Sequence, residues 1–109
     1  MKISSWLLTL ALLVTVINYP NPFNPQGGQS ATIKCTADTT TDSTLYIYNL
    51  SAQLVTKKSF PLTAGAASYL TWNGYTDANE RAATGLYIYQ LIDTNRNRLA
   101  KGKIWVINK

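Results

Sequence analysis

Five carboxylates, one thiol and no histidine make up the acid, base and nucleophile chemistry of this 109-residue chain. Without histidine, the commonest general base and the usual imidazole metal ligand are missing. The lone Cys35 cannot close an intrachain disulfide or contribute to a thiolate cluster for zinc. It reads as a small core residue with nothing nearby in sequence to activate it. Asp38, Asp42, Asp77, Glu80 and Asp93 all fall in polar stretches or at strand ends. A pair of them would support glycosidase chemistry only if loops brought two within about 5–10 Å. Asp38 and Asp42 share one loop. A calcium ion needs about six oxygens, and that loop has no central glycine. No catalytic residue, cofactor or metal site is therefore expected. The remaining chemistry is cationic and aromatic. Lys101 and Lys103 alternate onto one strand face with Trp105, and Lys109 follows. These four are the candidate partner-recognition residues, and lysines on an outer strand also discourage edge-to-edge aggregation.

The elements that must position them are strands. Charged residues are only 14% of the chain, and four of the seven tyrosines form two Tyr-x-Tyr pairs. That composition favours β-structure. Residues 30–37 alternate, with Ala31, Ile33, Cys35 and Ala37 on one face and Thr32, Lys34 and Thr36 on the other. Residues 44–49 and 53–60 read as a hairpin about a tight Asn49–Ala52 turn. Asn49-Leu50-Ser51 is formally a glycosylation sequon, which a turn asparagine explains equally well. A short strand at 67–72 ends at Asn73-Gly74, a strong turn signal. Residues 85–93 are apolar or aromatic on both faces, as in a central strand. The chain returns through a 94–97 turn into a last strand at 98–107.

About seven short strands without helical periodicity predict an all-β fold, an antiparallel immunoglobulin-like β-sandwich. Its core is expected from Ile33, Cys35, Leu45, Ile47, Val55, Leu70, Trp72, Tyr87, Tyr89, Leu91 and Ile104. The net charge of +5 comes without a groove-reading helix or a stacking platform, so no nucleic-acid partner is expected. Residues 1–12 open with Lys2 and an apolar run, the pattern of a signal peptide, although no clean Ala-x-Ala marks the cleavage site. The run is short of the roughly 20 residues a membrane span needs. Its Val/Ile/Thr-rich end, from Leu13, suits a first strand, which gives a domain over residues 13–109.

Between the first two strands lies Tyr19-Pro20-Asn21-Pro22-Phe23-Asn24-Pro25. Prolines at this density forbid a regular helix and stiffen the chain. The segment is expected to turn one strand into the next, with Phe23 covering an end of the core. This corner, followed by a Gly turn and Ala31-Thr32-Ile33-Lys34-Cys35, resembles the opening of bacterial Ig-like domains of the flagellar hook-capping and type IX secretion sorting-domain family. Further motifs follow in order: Leu45-Tyr46-Ile47-Tyr48-Asn49, Trp72-Asn73-Gly74, Gly85-Leu86-Tyr87-Ile88-Tyr89, and a basic ending from Lys103 to Lys109. Two positions depart from the family pattern: Ala52 and the vicinity of Glu80, where the family has glycine. Asn79 is a candidate for the left-handed position near the latter. The resemblance implies a non-enzymatic domain, secreted or at the cell surface via the periplasm, that sorts or attaches a cargo through contacts with secretion machinery or neighbouring domains. The alternative it implies is a structural assembly module joined through an exposed strand edge. A third reading of the exposed aromatics Tyr46, Tyr48 and Tyr75 is carbohydrate binding, which needs them in one flat patch.

Overall fold

The structure, a computed structural model, describes residues 13–109, so the expected leader at 1–12 lies outside the described residues. Seven strands form: β1 (Val14–Tyr19), β2 (Ala31–Ala37), β3 (Ser43–Tyr48), β4 (Leu54–Ser59), β5 (Ala67–Trp72), β6 (Gly85–Asp93) and β7 (Arg98–Val106). They make two antiparallel sheets, ordered β1-β2-β5 and β4-β3-β6-β7. The fold is the expected all-β sandwich. The alternation that identified the strands also builds its core, because successive side chains of a strand point to opposite faces. Ala31, Ile33, Cys35 and Ala37 of β2 meet Leu45 and Ile47 of β3, Tyr87, Tyr89 and Leu91 of β6, and Ile104 and Val106 of β7.

Ten of the eleven expected core residues are buried. Leu70 is the exception: it is half-buried on β5, at the edge of the smaller sheet, and packs against the core from its margin. Phe60, Leu62 and Ala82 are buried although they lie between strands. Phe60 falls one residue past β4, which ends at Ser59 where a strand to 60 was expected, and no periodicity marks Leu62 or Ala82.

The turns follow local chemistry. The Asn49 side-chain oxygen accepts the N–H groups of Ser51 at 2.9 Å and Gln53 at 3.0 Å, so this carboxamide holds the β3–β4 turn. Ala52 occupies the left-handed region at φ 62°, where the family pattern has glycine, and Asn79 does so at φ 63°. An L-residue in that region costs about 1–2 kcal/mol, and asparagine tolerates it best. In the β6–β7 turn, Asp93 accepts N–H groups from Asn95 at 2.9 Å and Asn97 at 2.8 Å.

Candidate partner-recognition surface

Three motifs far apart in sequence meet at one end of the sandwich. Phe23, 1% exposed, lies 5.5 Å from Trp72 between ring centroids, and Trp72 lies 5.7 Å from Tyr87, edge to face. Gly74 sits at φ +83°, and a Cβ there would stand 2.6 Å from Pro25 Cβ and 3.3 Å from Phe23 Cε2. The Asn73-Gly74 turn therefore needs glycine twice, for its backbone and for its seat on the proline corner. The Trp72 indole N–H donates to the Tyr75 carbonyl at 2.9 Å. Tyr87 donates its hydroxyl to the Ala83 carbonyl at 2.7 Å. That bond, from a tyrosine near the start of a central strand back to the preceding turn, is the tyrosine corner of immunoglobulin-like sandwiches.

The corner's asparagines explain why it alternates them with prolines. Phe23 N–H donates to the Trp105 carbonyl at 3.0 Å, and Ile107 N–H donates to the Phe23 carbonyl at 2.9 Å. The Asn21 side-chain oxygen accepts the Trp105 N–H at 2.8 Å, and its amide reaches the Lys103 carbonyl at 3.3 Å. Asn24 holds Lys109 by both backbone groups, at 2.9 and 3.2 Å. Together these satisfy backbone groups on the outer edge of β7 that the sheet leaves unpaired. Tyr19–Pro20 and Asn21–Pro22 are cis. Tyr19 is exposed, while Pro25 is buried with Phe23.

With β7 clamped, Lys101, Lys103 and Trp105 project from the outer face of the four-stranded sheet. Register builds the rest of that face. Lys57, Tyr46, Gln90 and Lys101 form one row across four strands, and Leu54, Tyr48, Ile88 and Lys103 form the next. Trp105 lies opposite Leu86. The Tyr46 and Tyr48 rings run side by side, 6.4 Å apart and only 15° from parallel. An aromatic and aliphatic centre thus lies between lysines on both flanks. Asp93, at the end of β6, is the only carboxylate in these four strands. Its own turn's N–H groups, that of Asn97 foremost, hold its pKa below the ordinary value. An open groove of about 350 Å³ lies between the β3–β4 turn and this face, lined by Tyr48, Asn49, Leu50, Ala52, Ile88 and Gln90.

Of the four candidate recognition residues, then, the fold brings Lys101, Lys103 and Trp105 together and ties Lys109 to the proline corner instead. Tyr46 and Tyr48 are half-buried on that face, not exposed as expected, and Tyr75, which is exposed, stands outside it in the β5–β6 connection. Lys57 and Leu86 join the face only through strand pairing, which alternation within one strand does not reveal. Three of the five carboxylates bond within the fold: Asp93 in its turn, Asp38, which accepts the Leu13 N–H at 3.1 Å, and Asp77, which accepts the Thr56 hydroxyl at 2.5 Å. Among the described residues no three His, Cys, Asp or Glu side chains cluster as metal ligands. Cys35 is buried, and burial pushes its thiol pKa up, the opposite of an activated nucleophile.

No protein-family model matches this sequence. No curated protein matches it either. Solved structures do match in fold. The chain superposes on part of dimeric latent PorU from Porphyromonas gingivalis with a TM-score of 0.74 and 18% identity, over 90% of this chain and 10% of PorU. It superposes on part of PorZ, an essential surface component of the type IX secretion system of the same bacterium, with a TM-score of 0.59 and 22% identity. That match covers 85% of this chain and 11% of PorZ. A third match is the alkylpurine DNA glycosylase AlkC of Pseudomonas fluorescens, with a TM-score of 0.61 and 10% identity, over 87% of this chain and 30% of AlkC. At these identities the shared property is the fold, and the chain corresponds to about a tenth of PorU or PorZ. The same sandwich on a DNA glycosylase illustrates that fold alone does not carry function.

Proposed function

We propose that this sandwich is a non-enzymatic sorting or cell-surface attachment domain of a type IX secretion system, reaching its destination through the periplasm and recognised by a protein partner. The observation that carries this reading is the convergence of the family-like motifs. The proline corner, Trp72-Asn73-Gly74 and the start of β6 unite in one clamp on β7. The fold likeness to a part of PorZ, itself a surface component of such a system, supports the same reading. The outer face of the four-stranded sheet is the contact surface it implies: an apolar centre that a partner would desolvate, and a rim of Lys57, Lys101 and Lys103 that would select acidic groups.

Fusing residues 13–109 behind a periplasmic reporter in a type IX-competent bacterium tests the role. Reporter on the surface or in the medium is the expected result, and reporter confined to the periplasm refutes it. The double variant Lys101→Glu, Lys103→Glu tests the face. Both side chains are exposed, so the variant should keep the wild-type melting curve while export falls.

A further inference from the structure

The two sheets have four outer edges, and the fold treats them differently. The β7 edge carries the proline corner. β1 lies along β7, with the Asn18 amide donating to the Lys103 carbonyl at 3.1 Å. On β4, Asp77 plugs the edge: its N–H donates to the Val55 carbonyl at 3.0 Å, and its carboxylate accepts the Lys57 N–H at 3.3 Å. Lys58 pairs with the core residue Leu45 across the ladder and so places a charge on the inward side of the same edge strand. These are the usual devices against strand addition.

β5 has none of them. It pairs with β2 on one side. Among the described residues, nothing bonds the outward backbone groups of Ala67 to Thr71. The strand is Ala-Ser-Tyr-Leu-Thr-Trp, with no charge, no proline and no bulge. In any edge strand about half the N–H and C=O groups point away from the sheet and form a template for another strand.

We infer that β5 is a self-pairing edge, at which a second copy of this chain adds its own β5 antiparallel to form a continuous six-stranded sheet. Charge favours this edge over those of β4 and β7 for pairing with a second copy. Pairing two β4 edges would oppose Lys57 and Lys58 with their counterparts, and two β7 edges would oppose Arg98, Lys101 and Lys103. Two β5 strands bring no like charges together. A two-fold axis normal to the sheet keeps outward side chains outward, so each residue must face one of its own parity. Centring the axis on Tyr69 satisfies this: Ala67 faces Thr71, Ser68 faces Leu70, and the two Tyr69 rings meet. Tyr69 is 58% exposed in the single chain. Within each copy it is already in one row with Lys34 and Ile17. A single strand edge is a small interface, so the dimer is reversible and concentration-dependent. This pairing is independent of the sorting role, because it uses the other sheet.

Sedimentation equilibrium of the full chain over a wide concentration range reads it directly. A monomer–dimer equilibrium is expected. Tyr69→Lys puts two like charges face to face at the axis and should weaken the dimer by about tenfold or more. Because Tyr69 is exposed, its melting curve at low concentration should match the wild type. The double variant Lys101→Glu, Lys103→Glu should dimerise as the wild type does. A monomer at every concentration overturns the inference and leaves this edge to a strand from a different protein. A dimer unaffected by Tyr69→Lys, or abolished by the double variant, overturns it too.

Discussion

Replacing Phe23 with alanine tests whether the proline corner is part of the fold. The ring is 1% exposed. It is walled by Trp72 and by the Gly74 backbone, which has no side chain to move into the space. Truncating a fully buried phenylalanine costs about 3–5 kcal/mol, from lost transfer energy and the cavity left behind. Roughly 0.5–1.5 kcal/mol of that would be the tilted contact with Trp72. A domain of this size has a total stability of about 5–15 kcal/mol, so the variant should lose about a fifth of it or more. Urea denaturation is the assay, with the midpoint falling and the slope unchanged if the folded state keeps its compactness. Amide exchange gives a second readout. Trp105 and Ile107 bond to the corner, so their N–H groups should exchange faster in Phe23→Ala while those of β2 follow only the global loss. Phe23→Leu, which keeps most of the volume, should cost less than about 1.5 kcal/mol. A loss under about 1 kcal/mol for Phe23→Ala would refute the reasoning and make the corner a linker lying on the surface.

Two further predictions concern the core. A Cβ at Gly102 would collide with the Tyr89 ring, which lies directly across the ladder. Gly102→Ala should therefore cost about 1–3 kcal/mol by overpacking, and a neutral result in thermal melts would contradict the placement of that ring. Stability should also depend on pH in a defined sense. Burial raises the pKa of Cys35 above 9.0 and of Tyr87 and Tyr89 above 10.0. These groups are neutral when protonated and hold their protons more tightly when folded. Their contribution is thus complete below about pH 9 and is lost as pH rises through and beyond that range. For Asp93, whose pKa is lowered from 3.8, the contribution is present above about pH 4 and is lost on acidification. Denaturation midpoints should be flat between those limits and fall at pH 10.5, and Tyr89→Phe should shallow the alkaline fall. Equal midpoints at pH 7 and 10.5 would count against it.

The strands and the inward face of each were legible because strand geometry has a period of two residues and a sandwich buries one face of each sheet. Ile33, Cys35, Leu45 and Ile47 needed nothing more. Turn positions were legible at Asn73-Gly74 and at Asn79, where the residue type itself carries the backbone preference. Phe23 was legible as the one large apolar residue in a stiff, polar corner. What joins distant segments was not. Local pattern says which face a strand buries, but not which strand lies beside it. The row Lys57–Tyr46–Gln90–Lys101 exists only once four strands are in register. The roles of Asn21 and Asn24 require β7 to arrive more than 80 residues later. Gly102, unremarkable in a lysine-rich strand, is explained by a ring on its neighbour. The open edge of β5 is likewise a property of sheet order, since the composition of a strand does not tell whether a neighbour covers it.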